Sequence, residues 1–292
     1  MALRKAPLLG TKMLPDDTFA GKLVYITGGG TGLGKAMAIE FARAGANIAI
    51  ASRDEAHRAS GVAAITEMGR QAIGSAVDIR QPDSIAASFD EVERELGPIS
   101  ILINNAAGNF AAPAERMSPN AWRAVVDIVL NGTFFCSTEF ARRRIAAGEG
   151  GAILNIGATY SWTGGPVAAH SAAAKAGVHN LTQTLAVEWA ADDIRVNCLV
   201  PGLFPDQQRS AHSVGMTKQN PRGGETIPAG RVGDVHELGY AATYMCSDYA
   251  AYLTGHTMVL DGGNWLRRYA FGQPDFEVVR DRFDRQNAET AD

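Results

Sequence analysis

Short runs rich in β-formers alternate with longer stretches of helical periodicity through most of the chain. Alternation of this kind is typical of βαβ units, which build a parallel sheet with helices on both faces. We predict an α/β fold with a doubly wound sheet of seven parallel strands. The predicted strands are Leu23–Thr27, Asn47–Ala51, Ala72–Val77, Ser100–Asn104, Ala152–Ile156, Arg195–Val200 and Thr257–Leu260.

Two of the helical stretches carry further information. Val178, Leu181, Leu185 and Trp189 recur at helical spacing, which predicts a buried helix running on from Lys175. The other stretch, 121–144, contains Asn131 followed by Gly132, a costly pair inside a plain helix.

The chain divides into an N-terminal extension (1–20), one α/β domain (21–266) and a charged C-terminal tail (267–292). Within the domain, 203–230 is rich in Pro, Gly, Gln and Ser and is too long for an ordinary connector, so we predict a lid. The tail has a mixed-charge helical pattern, which indicates a solvated face or a subunit contact.

Composition limits the partners. The 292 residues are 46% hydrophobic and 20% charged, enough for one large α/β domain, and the net charge of −4 argues against a nucleic-acid surface. Neither the three cysteines nor the six histidines have the spacing of a disulfide framework or a metal site. This spacing predicts no metal site. Because there is neither a long apolar run nor a signal peptide, we expect no membrane partner and a cytoplasmic location.

A glycine-rich turn, 27–34, stands between the first strand and a helical stretch. Glycines let a backbone approach a pyrophosphate, which the free N–H groups at a helix N-terminus attract. A merely flexible loop is the alternative, but strand, turn and helix together predict a Rossmann-type dinucleotide site. The expected contacts are Gly28, Gly30, Thr31, Gly32 and Leu33.

The end of the second strand distinguishes the two nicotinamide cofactors. NAD binding uses a carboxylate here, but the chain reads Ala51-Ser52-Arg53. The planar guanidinium of Arg53, helped by the Ser52 hydroxyl, suits a 2′-phosphate and therefore NADPH. Asp54 comes one residue later than the carboxylate expected for NAD, so NADH stays possible, and Arg53 as a solvated loop residue is the other alternative.

The turn has the form Thr-Gly-x-x-x-Gly-x-Gly and resembles the short-chain dehydrogenase/reductase superfamily. The resemblance extends over nearly the whole domain, through Asp78, the run 104–108, Asn131, Lys175, Pro201-Gly202 and 261–263. The resemblance implies further cofactor contacts at Asp78, Ile79, Asn105, Ala106, Lys175, Pro201, Gly202 and Leu203. It also implies a homotetramer, and a helix distortion at Asn131 that places water near Lys175.

The superfamily's Tyr-x-x-x-Lys pair is broken here, because Ser171 precedes Lys175 by four residues and Ala158 replaces the expected serine. Four segments are similar to those of the 2,4-dienoyl-CoA reductases: 103–110, 115–122, 127–133 and 246–250. In mitochondrial-type members the tyrosine stands eleven residues before such a serine, as Tyr160 does before Ser171. Asn109 matches that family's substrate-binding asparagine.

The chemistry fits a displaced tyrosine. Hydride addition to a conjugated dienoyl thioester collects negative charge on the thioester oxygen, while the final proton goes to carbon. Tyr160 and Asn109 would stabilise this dienolate by hydrogen bonds. Lys175 would hold the nicotinamide ribose, and Ser171 would orient the donors. Alternatively, Ser171 caps the following helix and Tyr160 only packs a loop.

An acyl-CoA substrate also needs cations for its phosphates. The resemblance assigns Arg80 and Phe110 to the substrate, and Arg142–Arg144 is more simply a solvated helix end. Three alternatives to a dienoyl-CoA reductase stay open. They are a trans-2-enoyl-CoA reductase, suggested by the run 170–182, a ketoreductase that uses Tyr160, and a non-catalytic nucleotide-binding module.

Overall fold

The structure is a computed structural model, and it describes residues 10–205 and 226–267 together with six isolated residues near the termini. Residues 206–225 of the predicted lid and most of the C-terminal tail lie outside the described residues. The lid and the role of the tail therefore stay predictions.

All seven predicted strands are present, each within one residue of its predicted ends. They are β1 Leu23–Thr27, β2 Asn47–Ser52, β3 Ala72–Ala76, β4 Ile99–Asn104, β5 Gly151–Ile156, β6 Ile194–Pro201 and β7 Thr257–Leu260. Every pairing is parallel, and the strand order is β3-β2-β1-β4-β5-β6-β7. The chain reverses its direction of travel between β1 and β4, which opens a crevice at the carboxyl edge of the sheet.

Helices cover both faces of this sheet. The α-helices are α1 Gly32–Arg43, α2 Glu55–Thr66, α3 Pro82–Leu96, α4 Pro119–Val126, α5 Gly132–Ala147, α6 Tyr160–Thr163, α7 Ala169–Glu188 and α8 Val235–Cys246. In β1, Val24 and Ile26 join a buried cluster with α1 and α8, whereas Leu23 and Tyr25 join a second cluster with α3 and α5. This alternation is why β1 is buried throughout and reads as a continuous apolar run.

The predicted distortion of the long helix at Asn131 is confirmed. A π-helical turn, Asp127–Asn131, separates α4 from α5. A Cβ at Gly132 would lie 2.7 Å from Cδ1 of Ile79, so a larger residue where α5 starts would require the Ile79 side chain to move. The whole stretch Pro119–Ala147 is long and apolar enough to cross a membrane by length and composition. Buried core helices share these properties, and the absence of a membrane partner stays a prediction.

The prediction that Arg142–Arg144 forms a solvated helix end is wrong for two of its three members. Arg143 donates to Asp90 and Glu93 at 2.7 Å each, because α5 packs against α3. Arg144 is buried, and its guanidinium lies 2.8 Å from a carboxylate oxygen of Glu149. Only Arg142 remains mostly exposed.

A buried chain of polar side chains links the centre of the sheet to two helices. Asn104 donates from Nδ2 to the Ser137 hydroxyl and to Oδ1 of Asn155, both at 2.9 Å. Asn155 donates to the Thr182 hydroxyl at 2.9 Å, and that hydroxyl donates to the Val178 carbonyl at 2.7 Å. Neighbouring donors and acceptors satisfy one another, so the polar groups are buried without loss of their hydrogen bonds.

Candidate active site

The glycine turn brings β1 into α1 with its helix N-terminus open. Gly28 and Gly32 have φ of 65° and 51°, the left-handed region that favours glycine. Thr31 precedes α1 and makes no side-chain cap, and no side chain in the described part of the chain hydrogen-bonds to the first N–H groups there. An anionic pyrophosphate fits this arrangement of open donors and helix dipole.

Two other glycines of the turn are required by packing. A Cβ at Gly30 would lie 2.0 Å from the carbonyl oxygen of His57, so α2 packs directly on this backbone. A Cβ at Gly34 would lie 2.3 Å from the carbonyl oxygen of Gly28. The turn therefore has room for glycine alone at both places, a constraint that the motif's spacing does not reveal.

Asn105 fixes the turn from the neighbouring strand. Its side-chain amide donates to the carbonyls of Thr27 at 3.0 Å and Gly28 at 3.1 Å. Its backbone N–H and that of Ala106 donate to the Thr27 hydroxyl at 2.9 and 3.0 Å. The side-chain nitrogen of Asn105 thus helps to fix the turn, and the cofactor contact predicted for this residue stays a prediction.

The end of β2 leaves one cation exposed. Within the described part of the chain, the Arg53 guanidinium has no hydrogen-bond or ion-pair partner. Arg58, which the sequence analysis missed, donates to the carbonyls of Ser52 at 2.7 Å and Arg53 at 2.9 Å. Asp54 caps α2 by accepting the His57 N–H at 2.8 Å. The local geometry therefore holds the backbone under Arg53 while its side chain extends into solvent.

Arg80, expected at a substrate phosphate, is paired with its neighbour. Its Nε and Nη2 donate to the Asp78 carboxylate at 2.9 and 2.5 Å. These hydrogen bonds hold the pKa of Asp78 below its usual range. Any phosphate bound by Arg80 would have to compete with this carboxylate.

Tyr160 and Ser171 come together as their spacing predicts. Tyr160 begins the single-turn helix α6, and its hydroxyl lies 3.0 Å from the Ser171 hydroxyl. Ser171 is 1% exposed and sits in the first turn of α7, whose N-cap is Ala168. The alternative that Ser171 caps the helix is therefore wrong, because α7 begins two residues before it.

Lys175 follows one turn later on α7 and is also buried. Its ammonium donates to the carbonyl of Ile156 at the end of β5. His179 comes a further turn along, and its Nδ1 lies 3.0 Å from the Ser161 hydroxyl. Burial, reinforced by the Lys175 charge, lowers the pKa of His179 to about 4. Ser171, Lys175 and His179 share one helix face, a four-residue spacing that could have revealed the histidine.

The segment after β4 reaches the start of α7. The Phe110 ring meets the buried His170 edge-on at a centroid distance of 4.6 Å. Ala112 donates to the carbonyl of Val167 at 2.8 Å, and Val167 has a φ of 58°, a strained value for a β-branched residue. Asn109 is exposed, and no described residue hydrogen-bonds to its side chain. Its amide is thus available to a ligand.

The remaining predicted residues lie at the same edge. The side chain of Asn131 donates to Asp127 at 2.9 Å inside the π-helical turn. After β6, Gly202 donates to the carbonyl of Leu260 at 2.9 Å, and Leu203 accepts from Gly233 at 3.0 Å. A Cβ at Gly202 would lie 2.4 Å from that of Asp261. Among the described residues, no three His, Cys, Asp or Glu side chains could hold a metal ion together.

Comparison with known proteins identifies the family. A family profile described as Enoyl-(Acyl carrier protein) reductase matches residues 28–264. A short chain dehydrogenase from Bacillus anthracis is 42% identical, with a TM-score of 0.77 over 85% of this chain and 98% of its own. The chain belongs to the short-chain dehydrogenase/reductase family. This reductase is therefore an oxidoreductase on a Rossmann-like fold that binds a nicotinamide cofactor.

Several relatives share one name. A Bacillus subtilis protein, named as a probable 2,4-dienoyl-CoA reductase producing (2E)-enoyl-CoA, is 41% identical over 86% of this reductase and 99% of its own length. The peroxisomal 2,4-dienoyl-CoA reductase of Rattus norvegicus, named as producing (3E)-enoyl-CoA, is 37% identical over 86% of each chain. The resemblance to this group, predicted from the displaced tyrosine, is confirmed.

Proposed function

We propose that this reductase reduces a 2,4-dienoyl-CoA to a 3-enoyl-CoA with NADPH. The observation that carries the proposal is the 3.0 Å contact between the hydroxyls of Tyr160 and Ser171, one helical turn from Lys175. It supplies a hydroxyl donor beside the lysine although the usual tyrosine position is a serine. Relatives named 2,4-dienoyl-CoA reductases support the substrate class.

In this proposal, Tyr160 and Asn109 stabilise the negative charge that forms during the reaction. NADPH, when bound, supplies a hydride to the far end of the conjugated system. The resulting dienolate concentrates charge on the thioester oxygen, where the Tyr160 hydroxyl and the Asn109 amide donate hydrogen bonds. Ser171 orients the Tyr160 hydroxyl. The oxygen keeps its charge until carbon is protonated, so Tyr160 need not give up its proton.

The site of the final protonation decides the product. Addition of the hydride at C5 spreads the negative charge over the oxygen, C2 and C4. A proton delivered to C2 gives the 3-enoyl thioester that we propose, and a proton delivered to C4 gives the 2-enoyl isomer. The named relatives include producers of each isomer, so the product itself has to be identified.

NADPH is proposed as the cofactor because the exposed Arg53 has no carboxylate partner among the described residues. Its planar donors suit a 2′-phosphate, and Arg58 braces the backbone beneath it. A solved relative from Agrobacterium tumefaciens, described as a candidate 2-deoxy-D-gluconate 3-dehydrogenase and 33% identical over 87% of this chain and 100% of its own, has bound NADP, with a TM-score of 0.78. We also propose a homotetramer and a cytoplasmic location.

The test is NADPH oxidation with 2,4-hexadienoyl-CoA. We expect turnover by the wild type and a kcat lowered about 100- to 1000-fold in Tyr160→Phe, since one oxyanion donor is lost. Tyr252→Phe, at a fully exposed position, is the matched control and should behave as the wild type. No turnover by the wild type, or full turnover by Tyr160→Phe, would sink the proposal.

A substrate panel separates the competing functions. Trans-2-hexenoyl-CoA and 3-ketohexanoyl-CoA are offered with the same cofactor, and the products are identified by mass spectrometry. Preferential formation of the saturated thioester would make this an enoyl-CoA reductase, and a hydroxyacyl product would make it a ketoreductase. NADPH binding without reduction of any substrate would indicate a binding module.

A further inference from the structure

Tyr160 is carried by a helix that is too short to form on its own. α6 is four residues long, Tyr160–Thr163, and ordering an isolated single turn costs more backbone entropy than its few hydrogen bonds offset. Contacts with the rest of the fold must therefore place this turn. The Tyr160 hydroxyl contacts Ser171, but a hydrogen bond at the tip of a long side chain does not by itself fix the backbone of the turn.

His179 contacts the two residues that follow Tyr160. Its Nδ1 lies 3.0 Å from the Ser161 hydroxyl, and its ring packs on that of Trp162 at a centroid distance of 4.3 Å and an interplanar angle of 43°. The histidine is 8% exposed and lies within the long helix α7, which packs against β6. It therefore joins the short turn to one of the main helices of the fold.

The direction of the His179–Ser161 hydrogen bond follows from a second one. The Ser161 hydroxyl donates to the carbonyl of Ala158 at 2.6 Å, so its oxygen is left to accept. Burial lowers the pKa of His179 to about 4, and the neutral imidazole holds its proton on Nδ1 and donates to Ser161. Imidazole, hydroxyl and carbonyl form one directed chain, which connects the residues on both sides of Tyr160 to α7.

The other edge of the His179 ring packs against the main chain that leads into this turn. A Cβ at Gly157 would lie 2.7 Å from Nε2 of His179. Gly157 directly follows Ile156, whose carbonyl accepts the Lys175 ammonium. One imidazole therefore contacts the chain before and after Tyr160, next to the acceptor of the lysine. The position of this ring sets where Tyr160 stands relative to Lys175.

We propose that His179 is a positioning residue for the reduction and that it acts on Tyr160 through Ser161 and Trp162. The inference rests on the proposed function for the thioester oxygen that the Tyr160 hydroxyl has to reach. His179 keeps α6 in place, so that this hydroxyl is already aimed when negative charge develops. A histidine that served core packing alone would affect stability and leave the kcat of the folded enzyme unchanged.

Two substitutions separate the hydrogen bond of His179 from its ring. His179→Phe keeps an aromatic ring against Trp162 but removes the donor, and it should lower kcat with 2,4-hexadienoyl-CoA about tenfold while KM stays within about twofold. His179→Asn places an amide nitrogen close to the position of Nδ1 and should keep kcat within about threefold of the wild type. His256→Asn, at an exposed histidine, is the matched control and should behave as the wild type. Full kcat in His179→Phe would overturn the inference.

Ser161→Ala tests the same chain of hydrogen bonds at its middle member. It removes the acceptor of His179 and should also lower kcat about tenfold, and the double variant with His179→Phe should lose no more than about twofold beyond either single variant. Ser161 is half-buried, so this variant provides the test if His179→Phe fails to fold. Additive losses, about hundredfold together, would mean that the two residues act separately and would overturn the inference.

The Tyr160→Phe background distinguishes positioning from a general structural role. The hydroxyl that His179 positions is absent there, so His179→Phe should change the residual kcat by less than about twofold. A further loss of about tenfold would show that the histidine supports the site as a whole, and the positioning role would be wrong.

A measurement without turnover separates this inference from the proposed function. The seven tyrosines are replaced by 3-fluorotyrosine, and the fluorine NMR signal of Tyr160 is identified by its absence in Tyr160→Phe. Ser161→Ala should shift this signal and leave the others in place. That shift without dienoyl-CoA turnover by the wild type would overturn the proposed reaction but support the positioning role. An unchanged signal with normal wild-type turnover would overturn the positioning role but support the reaction.

Discussion

The two sides of the crevice are held in different ways. On the glycine-turn side, side chains bind the main chain: Asn105 donates to two carbonyls of the turn and Arg58 to two at the end of β2. On the Tyr160 side, Asn109 and Phe110 are exposed. We call the glycine-turn side the frame, because hydrogen bonds from side chains to the main chain fix it. On the Tyr160 side, exposed side chains are available to a ligand. We therefore expect substitutions in the frame to change stability and cofactor affinity, and those on the other side to change kcat or KM.

The sharpest test compares two asparagines four residues apart. Asn109→Ala should lower kcat about hundredfold, because a proposed donor to the dienolate is lost. Its free energy of unfolding should stay within about 0.5 kcal/mol of the wild type. Asn105→Ala should instead lower that free energy by about 1–3 kcal/mol, since two carbonyls of the turn lose their donor. Urea unfolding and steady-state kinetics on both variants give the four values, and the comparison fails if the asparagines behave alike.

A methyl group at Gly34 tests the frame alone. Its Cβ would lie 2.3 Å from the Gly28 carbonyl oxygen and 2.6 Å from Nδ2 of Asn105. Gly34→Ala should therefore lower the free energy of unfolding by about 1–3 kcal/mol and weaken NADPH binding. Gly108→Ala is the control, because its Cβ would meet only Cδ1 of Ile128 at 3.5 Å. Equal stability of the two variants in thermal and urea unfolding would contradict a rigid turn.

Acid should lower the free energy of unfolding through His179, which lies on the Tyr160 side. Burial, with the Lys175 charge, lowers the pKa of His179 to about 4, so between this value and its ordinary pKa near 6.5 only the unfolded chain binds the proton. The stabilisation is complete above pH ~6.5, and about 2 kcal/mol of unfolding free energy should be lost on going from pH ~7 to ~5. His179→Gln should flatten this profile. A wild-type unfolding free energy that stays constant over the range would show that His179 is not held neutral.

The smallest effect is expected at Arg53. Arg53→Ser should reduce the ratio of kcat/KM for NADPH over NADH about tenfold, because the 2′-phosphate loses its cation. Arg116→Gln, a charge loss at a residue that is 80% exposed, should leave the ratio unchanged. An unchanged ratio in Arg53→Ser would move cofactor selection elsewhere in the frame.

The sequence predicted the strands closely because buried parallel strands are short apolar runs bounded by polar or glycine residues. It was less accurate for helix starts. The helix expected from Lys175 begins at Ala169, shortly after the turn that contains the strained Val167. Arg143 was misread for another reason: its carboxylate partners on α3 are about 50 residues away and meet it only after α5 docks.

The candidate site was predictable where its residues share an element or a known spacing. Tyr160, Ser171 and Lys175 were found in this way, and Asn131 was found because a glycine follows it in a helix. Arg58 was missed, since its contacts depend on how α2 packs. The cofactor contact predicted for Asn105 stays a prediction, and the hydrogen bonds of its side-chain amide to the turn were not foreseen.

The buried chain of hydrogen bonds through Asn104 and Asn155 couples the unfolding of four elements. In the order α5, β4, β5 and α7, each element is bonded to the next through side chains that would be left unpaired in an apolar interior. Amide protons of β4 and β5 should therefore exchange with solvent at the slowest rates in the molecule, close to those set by global unfolding. Lys175 donates a hydrogen bond to the last residue of β5, so its position depends on this slowly opening unit.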